Sequence, residues 1–172
     1  MSLGKKVKKE VDKATIRVYT LIMQKQLSRS DLAKCFDCAC FNIRKASRVV
    51  TQLFDGTLQP SGLRATQFTI LVVLSEAGSI TITRLGRMLV IDRTTLTRNL
   101  KPLSNQGLIT IGTGKDQRTR MVTLTARGRE AMAKAFPLWR KAQATVVKRL
   151  GHDRWSRLLA DLSATVPLAR AN

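Results

Sequence analysis

This sequence is short of acid, of histidine and of long apolar runs, and each shortage closes off a class of function. Its 172 residues carry 11 Asp+Glu against 31 Lys+Arg. The few carboxylates are scattered, so no pair offers a convincing general acid and base. The single histidine, His152, has no identifiable partner and reads as a surface or capping residue. There is no G-x-S-x-G, P-loop, dinucleotide fingerprint or H-E-x-x-H, so neither an enzyme nor a cofactor-dependent protein is expected. No window reaches roughly 18 uninterrupted apolar residues, and no membrane span is expected. The opening "MSLGKKVKKEV" is basic but leads into no apolar stretch with a cleavage site, so a cytoplasmic location is expected. Three cysteines, an odd number, argue against a secreted disulfide framework.

What is present in excess is positive charge, a formal +20 on an otherwise ordinary composition of 44% apolar and 24% charged residues. Such a field favours polyanions: nucleic acid, an anionic membrane surface or an acidic protein. It is spread along the chain, with nine basic and three acidic residues in 1–34, eight and two in 84–120, and ten and three in 127–172. Only 35–83, with four and three, is near balance. The charge therefore belongs to the folded body as well as to a tail.

The length fits one domain with added helices. Residues 1–31 read as a basic extension, with a short amphipathic helix behind a disordered first ten residues. From Leu32 to Phe54 apolar residues fill one broad helical arc, and Gly56 is expected to close that helix. Thr66 can cap a second helix through Glu76 that stops at Gly78, and Thr81 a third. Asp92 stands where an N-cap belongs, ahead of "RTTLTRNLKPLSNQGLI". Pro102 is expected to kink that helix and Gly107 to end it. "LITIGTGKDQRTRMVTL" reads as two short strands around a loop of about five residues. Thr125 can cap a long helix to about Leu150, bent at Pro137. Gly151 breaks it, and Asp153 can cap a last one.

The helix after Asp92 has two faces. Leu96, Leu100 and Leu103 repeat at helical spacing, while Thr94, Arg98, Lys101 and Asn105 repeat on the opposite side. Two short helices with a tight turn, followed by a basic hairpin, make a winged helix-turn-helix whose second helix enters the major groove of DNA. Arg98 can fork to guanine acceptors, and Arg93, Thr94, Thr95 and Thr97 lie near the helix start. Lys101 is a point charge suited to phosphate. In the hairpin, Lys115, Arg118 and Arg120 suit phosphate or a narrow minor groove. An ordinary solvated face is the bland alternative. Scarce acid, the adjoining hairpin and the extreme charge weigh against it.

"IDRTTLTRNLKPLSNQGLI" followed by "GKDQRTRMVTLTARGRE" resembles the MarR family of bacterial regulators. The D-x-R pair of Asp116 and Arg118, the LT-x-x-G of Leu124, Thr125 and Gly128, and the D-R-T-T-L-T-R helix start carry the resemblance. It covers roughly 32–165. It implies a mainly α fold with a small β-hairpin wing, and a homodimer on a palindromic double-stranded operator. It also implies that Arg118 enters the minor groove, that Asp116 holds the wing, and that the protein is a repressor released by a small aromatic ligand or an oxidant. On this basis 32–60 is expected to be a dimerisation helix, 61–125 the DNA-binding lobe and 126–172 further dimerisation helices. The apolar area of the first helix, with Leu138, Trp139, Trp155, Leu158 and Leu162, supports the dimer independently. A sequence-tolerant, architectural nucleic-acid-binding protein is the alternative, and a thiol enzyme a distant third.

"AKCFDCACFN" brings Cys35, Cys38 and Cys40 close together. On one continuous helix Cys35 and Cys40 lie about 140° apart at the border of the apolar arc, where cysteine usually serves as a small hydrophobe. Cys38 falls on the polar side near Lys45. Exposure and nearby positive charge favour thiol reactivity, so Cys38 is the candidate for a redox or electrophile switch, with Cys35 or a partner chain resolving it. Soft-metal or metalloid capture is a lesser alternative. A structural zinc site is not expected, since this spacing presents no tetrahedral set and no local histidine completes one.

Overall fold

The computed structural model describes residues 28–114, 116 and 119–170. Residues 1–27 of the basic extension, Lys115 and Arg118 therefore lie outside the described residues. The chain divides into two compact units, one ending at Ala46 and one running from Ser47.

In the first unit the expected single helix is broken. A short helix α1 (Arg29–Lys34) begins at Ser28, whose hydroxyl accepts from the Asp31 N–H at 3.1 Å. A 3₁₀ turn follows over Cys35–Asp37, and Cys38 is extended at φ −62°, ψ 123° before α2 (Ala39–Leu58) starts. The break contains no proline or glycine. The Asn42 side-chain amide donates to the carbonyls of Phe36 at 2.6 Å and Cys38 at 3.0 Å, which replaces helical donors with a local alternative. Gly56 does not close α2, which continues to the buried Leu58. A glycine lowers helix propensity by about 1 kcal/mol without ending a helix whose next turn is packed.

In the second unit, a 3₁₀ turn over Gln59–Ser61 and the left-handed Gly62 lead into α3 (Ala65–Ala77). Arg64, not Thr66, is its N-cap. The Arg64 N–H donates to Gln67 Oε1 at 2.8 Å and the Ala65 N–H to Asp55 Oδ1 at 2.7 Å. Gly78 ends it as expected. Then come β1 (Ile80–Thr81), α4 (Ile82–Leu89) and α5 (Arg93–Asn105), followed by β2 (Ile109–Thr113) and β3 (Arg120–Leu124). The strands form an antiparallel sheet in the order β1-β3-β2, with Ile80 opposite Val122 and Ile109 opposite Leu124. The hairpin was legible in the sequence; the two-residue β1 was not.

Helix α6 (Ala126–Leu150) continues through Pro137, and α7 (His152–Thr165) follows Gly151. Gly151 itself is the N-cap of α7. Asp153, expected there, sits in the first turn instead, where a negative charge faces the free N–H ends. The core gathers Leu58, Leu71, Leu74, Leu85, Leu96, Leu100, Leu103, Ile109 and Val122, with Phe68 stacked on Trp139 at 6.1 Å. No helix among the described residues is long and apolar enough to cross a membrane.

Candidate nucleic-acid interface

The geometry around α5 is built from short-range bonds. The Thr81 hydroxyl accepts from the Arg84 N–H at 3.0 Å and starts α4. That helix ends at Val90 in the left-handed region, φ 52°, where the Ile91 N–H returns to the Gly86 carbonyl at 2.9 Å. Gly86 permits the tight turn, because a Cβ there would stand 3.0 Å from the Ile91 oxygen. Asp92 then caps α5: Oδ1 accepts from the Thr95 N–H at 2.9 Å and Oδ2 from the Thr95 hydroxyl at 2.6 Å. These bonds hold the Asp92 carboxyl below its usual range, with the Thr95 hydroxyl the larger cause. A charged Asp92 at neutral pH also complements the helix dipole.

Helix α5 separates its faces cleanly. Leu96, Leu100 and Leu103 are 0%, 1% and 0% exposed. Arg93, Thr94, Thr95, Thr97, Arg98 and Lys101 are all exposed. The threonines are not equivalent, however. Thr95 donates its proton to Asp92, and Thr97 donates to the Arg93 carbonyl at 2.8 Å. Among the described residues Thr94 makes no side-chain hydrogen bond, so it is the threonine free to donate outward. The helix passes through Pro102 and ends ahead of Gly107, at φ 69°.

The hairpin lies next in the chain. The Gly114 N–H donates to the Thr119 carbonyl at 2.8 Å, and the Thr119 N–H to that of Asp116 at 2.9 Å. Asp116 is exposed, as is Arg120 at the start of β3. Arg93 and Arg120 line one notch, so the structure brings together two cations that stand far apart in sequence. Behind the hairpin, the Thr125 hydroxyl donates to the carbonyls of Gly107 and Leu108 and accepts from the Gly128 N–H at 2.9 Å. A Cβ on Gly128 would collide with the Leu108 carbonyl and stand 2.6 Å from Leu124 Cδ1. The LT-x-x-G pattern thus locks the start of α6 against the base of the wing.

The cysteines stand differently from the sequence reading. All three are exposed, free thiols, so in this chain Cys35 and Cys40 are not small buried hydrophobes. The break at Cys38 also removes the continuous-helix angle between them. Cys35 and Cys38 instead sit at the two ends of a 3₁₀ turn, with the Cys38 N–H donating to the Cys35 carbonyl at 3.2 Å. No cluster of three metal-ligating side chains exists among the described residues. Arg64 went unmarked in the sequence; it shares a notch with Arg98.

A short helix, a tight turn, a second helix with leucines inward and cations outward, and an antiparallel hairpin define a winged helix-turn-helix protein. The MarR family pattern matches residues 61–119. The organic hydroperoxide resistance transcriptional regulator of Bacillus subtilis (strain 168) is 30% identical over 112 residues, covering 64% of this chain and 76% of that protein. The M. tuberculosis transcriptional regulator MosR, solved in complex with DNA, is 41% identical with a TM-score of 0.71, over 78% of this chain and 97% of that one. A cysteine-to-serine mutant of E. coli MarR complexed with operator DNA is 26% identical with a TM-score of 0.67, over 73% and 91%. The chain belongs to the MarR family, as the residues between 80 and 130 imply.

Proposed function

We propose that this protein is a dimeric, sequence-specific DNA-binding repressor. One observation carries the reading: α5 buries its leucines and leaves Thr94, Arg98 and Lys101 exposed on the other side. A helix of this kind fits the major groove, where Arg98 reads guanine and Thr94 and Arg93 work at the helix start. Lys101 takes a phosphate. Lys115, Arg118 and Arg120 act from the wing, which Asp116 supports. That MosR and the E. coli MarR mutant are each solved with DNA supports this use of the fold.

The dimer is supported by apolar side chains left uncovered in the single chain: Phe36, Phe41 and Val49, and separately Leu158, Leu159 and Leu162. Residues 32–60 and 126–172 then pair the two copies, and 61–125 reads DNA. Two recognition helices about 34 Å apart match one turn of B-DNA.

Release by a small ligand or by thiol modification completes the reading. A 3₁₀ turn eclipses side chains three residues apart, which favours pairing of Cys38 with Cys35. The name of the B. subtilis relative supports an organic hydroperoxide as oxidant. The Cys38 thiolate would attack the peroxide oxygen and, with one proton taken up, yield a sulfenic acid and an alcohol. The Cys35 thiol would then attack that sulfur, forming the disulfide and releasing water.

Selection of bound duplexes from a random library, with and without hydroperoxide, tests all of this. Arg98→Ala is expected to weaken the selected operator by about 1–3 kcal/mol and relax preference at one position per half-site. Cys38→Ser is expected to stay bound under oxidant. Equal affinity of the wild type for operator and scrambled duplex would overturn base readout. It would leave the architectural alternative, which the spread of the +20 charge favours.

A further inference from the structure

Two polar notches flank the outward face of α5, and we propose that each seats a backbone phosphate, one from each strand of a bound duplex. Arg64 is the anchor of the second seat. The proposal rests on the DNA-binding reading above and says how the recognition helix is held in its groove.

At about 100° per residue, the leucines of α5 share one side and Thr94, Arg98 and Lys101 the opposite one. Arg93 and Thr97 then fall on one flank, and Asn99, Pro102 and Gln106 on the other. A notch opens on each flank. The first, about 280 Å³, is lined by Thr81, Ile82, Thr83, Arg93, Thr119 and Arg120. The second, about 500 Å³, includes Arg64, Thr66, Gln67, Arg98, Asn99 and Gln106.

The two notches share a composition. Each joins one arginine of α5 to an arginine from another element: Arg93 with Arg120 of β3, and Arg98 with Arg64 just ahead of α3. No carboxylate lines either one. Among the described residues none of these four arginines forms an ion pair. Two guanidinium groups on one notch repel each other unless an anion sits between them. A phosphodiester supplies one negative charge and acceptor oxygens suited to a planar fork of donors. Short donors stand beside the cations. In the second notch, Gln67 Oε1 is occupied by the Arg64 N–H, which leaves the amide N–H groups of Gln67 to donate.

The occupant is duplex DNA because there are two seats and a helix lies between them. A helix with its side chains is about 10–12 Å across, and the major groove is about 12 Å wide. A helix in that groove therefore has a phosphate strand along each flank. A free phosphate or a nucleotide would need one seat, not a matched pair. Arg98, at the border between reading face and second notch, is left to the base edge when Arg64 holds the phosphate.

The test uses the full chain on its selected operator and on scrambled duplex. Each phosphate contact contributes about 0.9 to the slope of log affinity against log salt. Arg64→Gln is expected to reduce that slope by about one unit per protomer on both duplexes, with the operator-to-scrambled ratio unchanged; Arg64→Lys keeps the slope. Methylphosphonate replacement of single phosphates should weaken wild-type binding severalfold at one position on each strand of a half-site. In Arg64→Gln, replacement of the phosphate in the second notch should have no further effect, whereas replacement of the one in the first should still weaken binding. An unchanged slope, or methylphosphonate effects that persist at every position in the variant, overturns the seat. Arg64 caps α3 through its backbone N–H, so its variant should melt like the wild type. If it does not, Arg120→Gln gives the same readout at the other notch. Absence of operator preference in the wild type is a different failure, visible before any variant is made, and removes the DNA reading itself.

Discussion

Helices α2 and α5 carry similar amphipathic patterns and meet opposite fates. In α5 the apolar stripe closes into the core of its own chain, with Leu96, Leu100 and Leu103 almost wholly buried. In α2 only Leu58 is buried, while Phe41, Ile43, Val49 and Val50 are exposed, Val49 at 61%. The same periodicity therefore means different things. Where the chain covers the apolar side, the polar side is left to act on a partner. Where the chain leaves the apolar side bare, that side suits the dimer contact proposed above. Each such side chain is worth about 1.5–3 kcal/mol when fully buried, which is what the proposed pairing of two copies would gain along α2.

The sharpest way to break this comparison is to truncate one apolar residue on each helix. Leu100→Ala is expected to lower the unfolding free energy by about 2–5 kcal/mol, since the lost transfer energy is joined by a cavity. Val49→Ser should barely move the stability of the single chain but should weaken its self-association, seen as dissociation at a higher protein concentration in a dilution series. Equal, concentration-independent losses from both would erase the distinction. The next effect in size lies behind the wing. Gly128→Ala forces a methyl against the Leu108 carbonyl and Leu124, and should cost about 1–3 kcal/mol in a denaturant melt. A neutral result would mean that the start of α6 shifts freely and does not lock the wing.

How much of this was readable in advance follows the range of the interactions. The α5 start needed only Asp92 and the leucine spacing, and the α6 start only Thr125, so both were legible. The break at Cys38 has no local breaker residue; it follows from the bonds of Asn42 to Phe36 and Cys38, which no periodicity announces. The N-terminus of α3 is completed by Asp55, ten residues upstream. Strand β1 is two residues long and exists only because Val122 and Met121, some forty residues later, lie alongside it. The notches have the same origin. Arg64 shares a notch with Arg98, and Arg93 with Arg120, across distances in sequence that no motif spans. Leucines announce a buried face locally, whereas a cationic seat is assembled by tertiary structure.

A smaller effect concerns the cap that starts the exposed face. The folded-state value of Asp92 lies below its ordinary one, so its contribution is fully present above the ordinary aspartate value and is lost as pH falls through the depressed value. The Thr95 amide, which donates to Asp92, should report this titration by NMR at a pH below that of an unperturbed aspartate. Asp92→Asn should abolish it. Titration of the Thr95 amide at the ordinary value would show that the cap bond contributes nothing to the start of α5.

The smallest effect is at the turn between α4 and α5. Val90 is the one non-glycine residue with positive φ among those described, at 52°, and it is 55% exposed. A β-branched residue in that region costs about 1–2 kcal/mol. Glycine removes the strain but surrenders roughly 0.5–1 kcal/mol to the greater freedom of the unfolded chain. Val90→Gly should therefore raise the unfolding free energy by less than about 1 kcal/mol, a shift of a few degrees at most in the melting temperature. A fall of similar size would carry more information than the rise. It would mean that the contacts of the valine methyls and the stiffer unfolded chain together are worth more than the strain they impose. A melting temperature of Val90→Gly that also shifts with protein concentration would be the added sign that those methyls meet a second copy.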